Sequence, residues 1–373
     1  MWFEEFALER WALDPRVAAA RHDLASSAGR PWTLRELLEL VAPSGEAEAV
    51  LDERLGYSSV QGRRELRQAV AHLYGADPES VRITCGASQA LFLQIALAAR
   101  PGANAVLPAP GYPAYRGLAK GFGLEVREIP LSRERGFVLD AEAVISHLDG
   151  DTPLVILTTP HNPTGSCLDR PTLEAIAAAT ADRGIPLVVD EVFHPIRHDG
   201  GSEESAAAIE DVIVIGDLSK ALSLPGLRIG WQLDRDPERR QRADDLRGYV
   251  ALTGAPHLEA LAALALARRD AILSRTRAAA SANLEALAAF LERLGDRLAW
   301  VRPTGGLLAF PWLTSGESTR PLCESLMARG LVVVPGDCFG APEHLRIGFG
   351  ANSPHAFAAA LAELEEALAP IEV

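Results

Sequence analysis

Residues Val212–Leu233 read VIVIGDLSKALSLPGLRIGWQL, two apolar runs rich in β-branched residues with Lys220 and Arg228 in the stretch between them. The runs have the composition of buried strands. The lysine is the unusual residue. Of the 36 basic residues in the 373-residue chain only Lys120 and Lys220 are lysine, so arginine serves wherever a plain positive charge is enough. Arginine stays protonated at any accessible pH, whereas a lysine amine can lose its proton and attack a carbonyl. Lys120, in YRGLAKGFGL, lies near the end of a helical stretch, where a cation suits the helix dipole and no other chemistry surrounds it.

Upstream the same kind of run recurs as VRITCG at 81–86, AVLPAP at 105–110, PLVILTTP at 153–160 and PLVVDEV at 186–192, alternating with helical stretches. That rhythm predicts an α/β fold, a mainly parallel sheet covered by helices on both faces. Open sheets of this kind bind ligands beyond the carboxyl ends of their strands. Downstream, a helical region from His257 to Leu294 is followed by the short runs RLAWVRP, GLLAFPW, LVVVPG and HLRIGFG and a closing Ala/Leu/Glu helix. This reads as a smaller α+β unit. The expected division is an N-terminal arm with part of the small domain over 1–41, a large domain over 42–270 and a small domain over 271–373.

Composition excludes several classes of function. With 48% hydrophobic and 23% charged residues the chain is an ordinary globular protein. No apolar run approaches the roughly 20 residues that span a bilayer, and MWFEEFALERWALDPR lacks the basic and apolar blocks of a secretory signal. A cytoplasmic protein without membrane association is expected. A net charge of −14 disfavours phosphate backbones, so no nucleic-acid partner is expected. Cys85, Cys167, Cys323 and Cys338 have no CxxC spacing and read as free thiols, with no metal site. His194 and His198, separated by Pro195, read as a surface pair. No GxGxxG occurs, and neither lysine can complete a phosphate-binding P-loop.

The positive signals sit at strand ends. Gly86-Ala87-Ser88 lies between a strand and a helix, where backbone amides and a hydroxyl favour an anion, though small residues are also ordinary caps. Tyr112 in PAPGYPAY could stack on a flat ring or only pack. Asn162 in HNPTG offers an amide on a tight turn. Asp190 leaves a buried strand, and such a carboxylate must find a partner. An anionic group, a flat ring, a ring nitrogen for a carboxylate, a ring oxygen for an amide and an aldehyde for an amine all belong to pyridoxal 5′-phosphate.

In motif order and spacing, over essentially its whole length, the chain resembles the class I/II aminotransferases of the aspartate aminotransferase fold type. HNPTG at 161–165, Asp190, SKxxxxPGxRxG from Ser219 to Gly230 and LRIGFG around Arg346 carry the likeness. The resemblance implies fold type I: a large domain with a mainly parallel seven-stranded sheet between helices, and a smaller α+β domain. It implies that Lys220 holds pyridoxal 5′-phosphate as an internal aldimine and moves protons, that Asp190 pairs with the pyridine nitrogen, and that Tyr112 stacks on the ring. Asn162 would bond the ring oxygen and stand near the substrate carboxylate, which Arg346 grips with its two-donor fork. Ala87, Ser88, Ser219 and Arg228 would hold the phosphate. Tyr57, in GYSSVQGRR, would reach the phosphate of a neighbouring subunit, so a homodimer with shared active sites is implied.

Two positions depart from the family pattern. Phe193 stands beside the ring oxygen where a tyrosine is usual, and Asp217 occupies a position often held by serine or threonine. A carboxylate there would repel a phosphate. The arm and Phe193 are also similar to capreomycidine synthases, relatives that cyclise a hydroxylated arginine. The expected activity is transamination between an L-α-amino acid and a 2-oxo acid. The alternatives are a pyridoxal-phosphate-dependent cyclase, eliminase or oxidase acting on a basic, arginine-like amino acid, and a non-catalytic cofactor-binding module. Arg30, in the arm, is the candidate partner for a substrate side-chain carboxylate.

Overall fold

The computed structural model describes residues 2–42 and 45–368, so the outermost residues of the expected domain ranges, and Pro43 and Ser44, lie outside the described residues. Seven strands form the central sheet: β1 Val81–Thr84, β2 Asn104–Ala109, β3 Glu125–Pro130, β4 Leu154–Thr158, β5 Leu187–Asp190, β6 Val212–Asp217 and β7 Gly230–Leu233. Their order is β1-β7-β6-β5-β4-β2-β3. All run parallel except β7, which is antiparallel to both β1 and β6.

Alternate residues of the central strands serve two different cores, as the pleat requires. Ile213, Ile215, Val188 and Ile156 pack under Ala90, Leu91 and Ile95 of the helix Gly86–Ala98. Val212, Val214, Leu187 and Val189 face the other side with Leu173, Ile176 and Ala177 of the helix Arg170–Ala181. Burial on both faces is why these strands read as continuous apolar runs.

The second unit holds an antiparallel set, Leu308–Ala309, Leu345–Gly348 and Val334–Pro335; the helix Arg320–Ala328 packs against Val334–Pro335, and the helix Pro354–Leu368 against His22–Asp23 and Leu331–Val332. The N-terminal arm joins it: His22–Asp23 pairs in parallel with Leu331–Val332, and Trp11 Nε1 donates to the Val333 carbonyl at 3.0 Å. The helical region expected over 257–294 is two helices, Pro256–Ala267 and Arg269–Leu294, broken at Arg268. The histidine pair is not on the surface. His194 is partly buried, and burial pulls its imidazole to about 4. His198 is half-buried with Nε2 2.8 Å from the Gly306 carbonyl. No helix among the described residues is long and apolar enough to cross a membrane.

Candidate active site

The parallel strands deliver their carboxyl ends to one edge of the sheet, and a cavity of about 610 Å³ opens beyond it. Ala87 and Ser88 follow β1, Tyr112 follows β2, Asn162 follows β4, Asp190 ends β5, and Ser219, Lys220 and Arg228 lie between β6 and β7. All of these line the cavity, together with Phe193 and Arg346. Such a volume suits a cofactor with a small substrate.

At the cavity floor Asp190 accepts from Tyr115 Oη at 2.7 Å and from the Val192 N–H at 3.0 Å. Tyr115 Oη is also 2.7 Å from Thr158 Oγ1. Burial raises the Asp190 carboxyl to about 6, the two donors pulling the other way. Such a group is held ready for a cationic partner. Lys220 Nζ donates to Ser27 Oγ at 2.8 Å. Burial lowers the pKa of its amine, opposed by the charge of Asp217, so the neutral nucleophile is more accessible than on an exposed lysine. Asp217 itself accepts the Ser219 N–H at 2.9 Å. Asp217 also lines the cavity.

One end of the cavity is built for an anion. The 13-residue helix Gly86–Ala98 begins here without a side-chain cap, leaving its first N–H groups for a ligand. Ser219 Oγ is buried and has no partner among the described residues. Arg228 adopts a left-handed backbone, φ 52°, a strained conformation for a non-glycine residue. It presses its guanidinium on Gly86, where a Cβ would lie 2.5 Å from Nη2. Gly230 lies against the same helix start: a Cβ there would stand 2.4 Å from the Gly86 carbonyl carbon and 2.5 Å from the Ala87 nitrogen.

At the opposite wall Arg346 donates to the Ala25 carbonyl at 2.8 Å and to Asn162 Oδ1 at 3.4 Å, and its Nε is buried without a partner. Burial pulls its guanidinium to about 10. The carbonyl end of Asn162 is thereby engaged, which leaves its NH₂ as a donor into the cavity. Tyr112 meets Phe6 of the arm with ring centroids 5.9 Å apart.

Several lining residues carry no sequence motif. The arm helix Ala7–Ala12 brings Leu8 and Glu9 to the cavity, and the segment after His22–Asp23 brings Ala25 to Ala28. Ser27 meets Lys220 across 193 residues, a contact no local pattern announces. Tyr115 was within reach, since it stands one helical turn after Tyr112 in the same PAPGYPAY segment. Two expected participants are outside this cavity. Arg30 is exposed, is absent from the lining of this cavity and gives its backbone carbonyl to Arg275. Tyr57 is 86% exposed.

A family model for aminotransferases of class I and II matches residues 35–364. The chain is 33% identical to capreomycidine synthase of Streptomyces vinaceus over 98% of its own length and 92% of that protein. It is 30% identical to the valine–pyruvate aminotransferase of Mycobacterium tuberculosis, covering 92% of this chain and 87% of the other. A solved pyridoxal-phosphate-dependent aminotransferase from Streptococcus suis superposes with a TM-score of 0.91 at 26% identity, over 99% of this chain and 98% of that one.

Proposed function

The chain belongs to the aminotransferases of class I and II, enzymes dependent on pyridoxal 5′-phosphate, and within that family we propose that Lys220 carries the cofactor and that the enzyme transfers the amino group of an L-α-amino acid to a 2-oxo acid. The observation that carries this reading is a buried lysine sharing one cavity with a buried carboxylate and an uncapped helix start. The residues fit the cofactor: the helix start, the unpartnered Ser219 hydroxyl and Arg228 would take its phosphate. Asp190 would face the ring nitrogen, Asn162 the ring oxygen, and Tyr112 one face of the ring.

Bound there, pyridoxal phosphate supplies an aldehyde for amino groups and a ring that takes up the electrons freed when a Cα–H bond breaks. Asp190, kept from water and held by Tyr115, would stabilise positive charge at the ring nitrogen. Arg346, with an unpartnered Nε and a planar fork, would fix the substrate carboxylate and so set which Cα bond faces Lys220. The Lys220 amine, its pKa lowered by burial, would take the Cα proton and return it at the carbon that brought the aldehyde. The expected result is exchange of amino groups between amino acids and 2-oxo acids, reduced at least about a thousandfold in Lys220→Ala. A variant that keeps turning over at the wild-type rate would contradict the reading.

The homodimer belongs to the same proposal, supported by an exposed Tyr57 that has no role in its own chain's cavity. So does the cytoplasmic location, supported by four free cysteines as suits a reducing compartment. The division at 41 and 270 is supported by the helix break at Arg268 and by the pairing of His22–Asp23 with the C-terminal unit. A second reading, cyclisation or elimination on the same cofactor, is favoured by Phe193, which lines the cavity without the hydroxyl a tyrosine would bring. Release of ammonia or of a ring-closed product without consumption of a 2-oxo acid co-substrate would decide for it.

A further inference from the structure

Glu259 and Arg247 are buried charges, 0% and 2% exposed, that the chemistry at Lys220 does not use. Removing such groups from water is costly unless something compensates. They form no ion pair with each other among the described residues. Both are turned instead to one short segment that follows Tyr57. Glu259 Oε2 accepts from Ser58 Oγ at 2.8 Å and from the Arg63 N–H at 2.7 Å, and Arg247 donates to the Val60 carbonyl. Space around Glu259 is tight, since a Cβ on Gly254 would stand 2.1 Å from Oε1. The Ile83 N–H adds a bond to the Gln61 carbonyl at 3.0 Å, and Gly62, at φ 95°, has no room for a Cβ beside Ile83.

The outcome is an anchored segment at 58–63 next to Tyr57, which is 86% exposed. Anchoring of this strength on a segment that presents Tyr57 to solvent has a use if the ring docks elsewhere, because a preformed loop loses little conformational entropy on docking. We infer that Glu259 and Arg247 are positioning residues that fix the 58–63 segment so that Tyr57 enters the cofactor cavity of a second copy of this chain. The inference rests on the two-subunit reading above. It assigns to Glu259 and Arg247 an effect in trans, on the partner's cofactor and not on their own subunit's.

Hybrid dimers test the direction of that effect. The readout is the cofactor concentration that half-saturates Lys220, measured by borohydride fixation and mass spectrometry. In the first hybrid one subunit carries Glu259→Ala with Lys220→Ala and the other is wild type. The intact Lys220 then faces a Tyr57 whose anchor is gone, and affinity should fall by about tenfold, or 1.4 kcal/mol. In the second hybrid Glu259→Ala sits on the subunit with intact Lys220, its partner carries Lys220→Ala, and affinity should stay at the wild-type value. Arg247→Met repeats the pair without emptying the Glu259 site, in case Glu259→Ala fails to fold. Equal losses in both hybrids, or loss in the second alone, would overturn the inference. A chain that sediments as a monomer at every concentration would overturn the two-subunit reading itself, and the inference with it.

Discussion

Buried beneath Tyr115 and Thr158, the Asp190 carboxyl titrates at about 6, against 3.8 for an unperturbed aspartate. Between those values the folded, cofactor-free protein binds a proton that the unfolded chain releases. Stability attributable to Asp190 is therefore present below pH 4 and lost as pH rises through 6. Glu191, raised by burial to about 7, extends the same fall upward. Asp190→Asn should remove the first part of it, so that the variant gains on the order of 2–3 kcal/mol over wild type between pH 4 and pH 7. Denaturant midpoints of the two cofactor-free proteins at both pH values measure this, and parallel pH profiles would contradict it. The identity of Asp190 as a functional carboxylate was legible because it terminates the apolar run PLVV. Its donor Tyr115 was not singled out, since a tyrosine in the first turn of a helix has many uses and only the fold brings it within 2.7 Å of Asp190.

The strands β1, β2, β4, β5, β6 and β7 were legible as apolar runs because helices or neighbouring strands bury them. Strand β3, EVREIP, lies at the sheet edge with mostly exposed or half-exposed side chains, so it offers no such run. The reversal of β7 was also hidden. It follows from the connection between Asp217 and Gly230, which carries the lysine loop and no crossover helix, so the chain turns back and pairs Asp217 with Gly230. That return places Gly230 on the start of the helix Gly86–Ala98. In Gly230→Ala the new methyl would meet backbone atoms at 2.4 and 2.5 Å, which cannot move aside as a side-chain tip can. Displacing that helix start should weaken cofactor phosphate binding more than tenfold, on the order of one or two charge-assisted hydrogen bonds. Equilibrium dialysis of the cofactor provides the number, and unchanged affinity would show that the helix start is not the phosphate cradle.

For the whole molecule, the contacts that close the cavity join segments far apart in sequence. The arm pairs with Leu331–Val332, lays Glu9 and Phe6 against the cavity, and sets Ser27 beside Lys220. These contacts depend on tertiary packing, which is why the arm was legible only as an arm. The strand-end residues were legible because an open α/β sheet gathers its carboxyl ends at one edge whatever the loops contain. Everything converges on Lys220, and the chain contains a single competitor, Lys120, a half-buried partner of Glu4 at 3.3 Å. Borohydride reduction of the cofactor-loaded enzyme, followed by digestion and mass spectrometry, separates the two. The account predicts the reduced cofactor on the peptide containing Lys220, and a label found on Lys120 instead would contradict it.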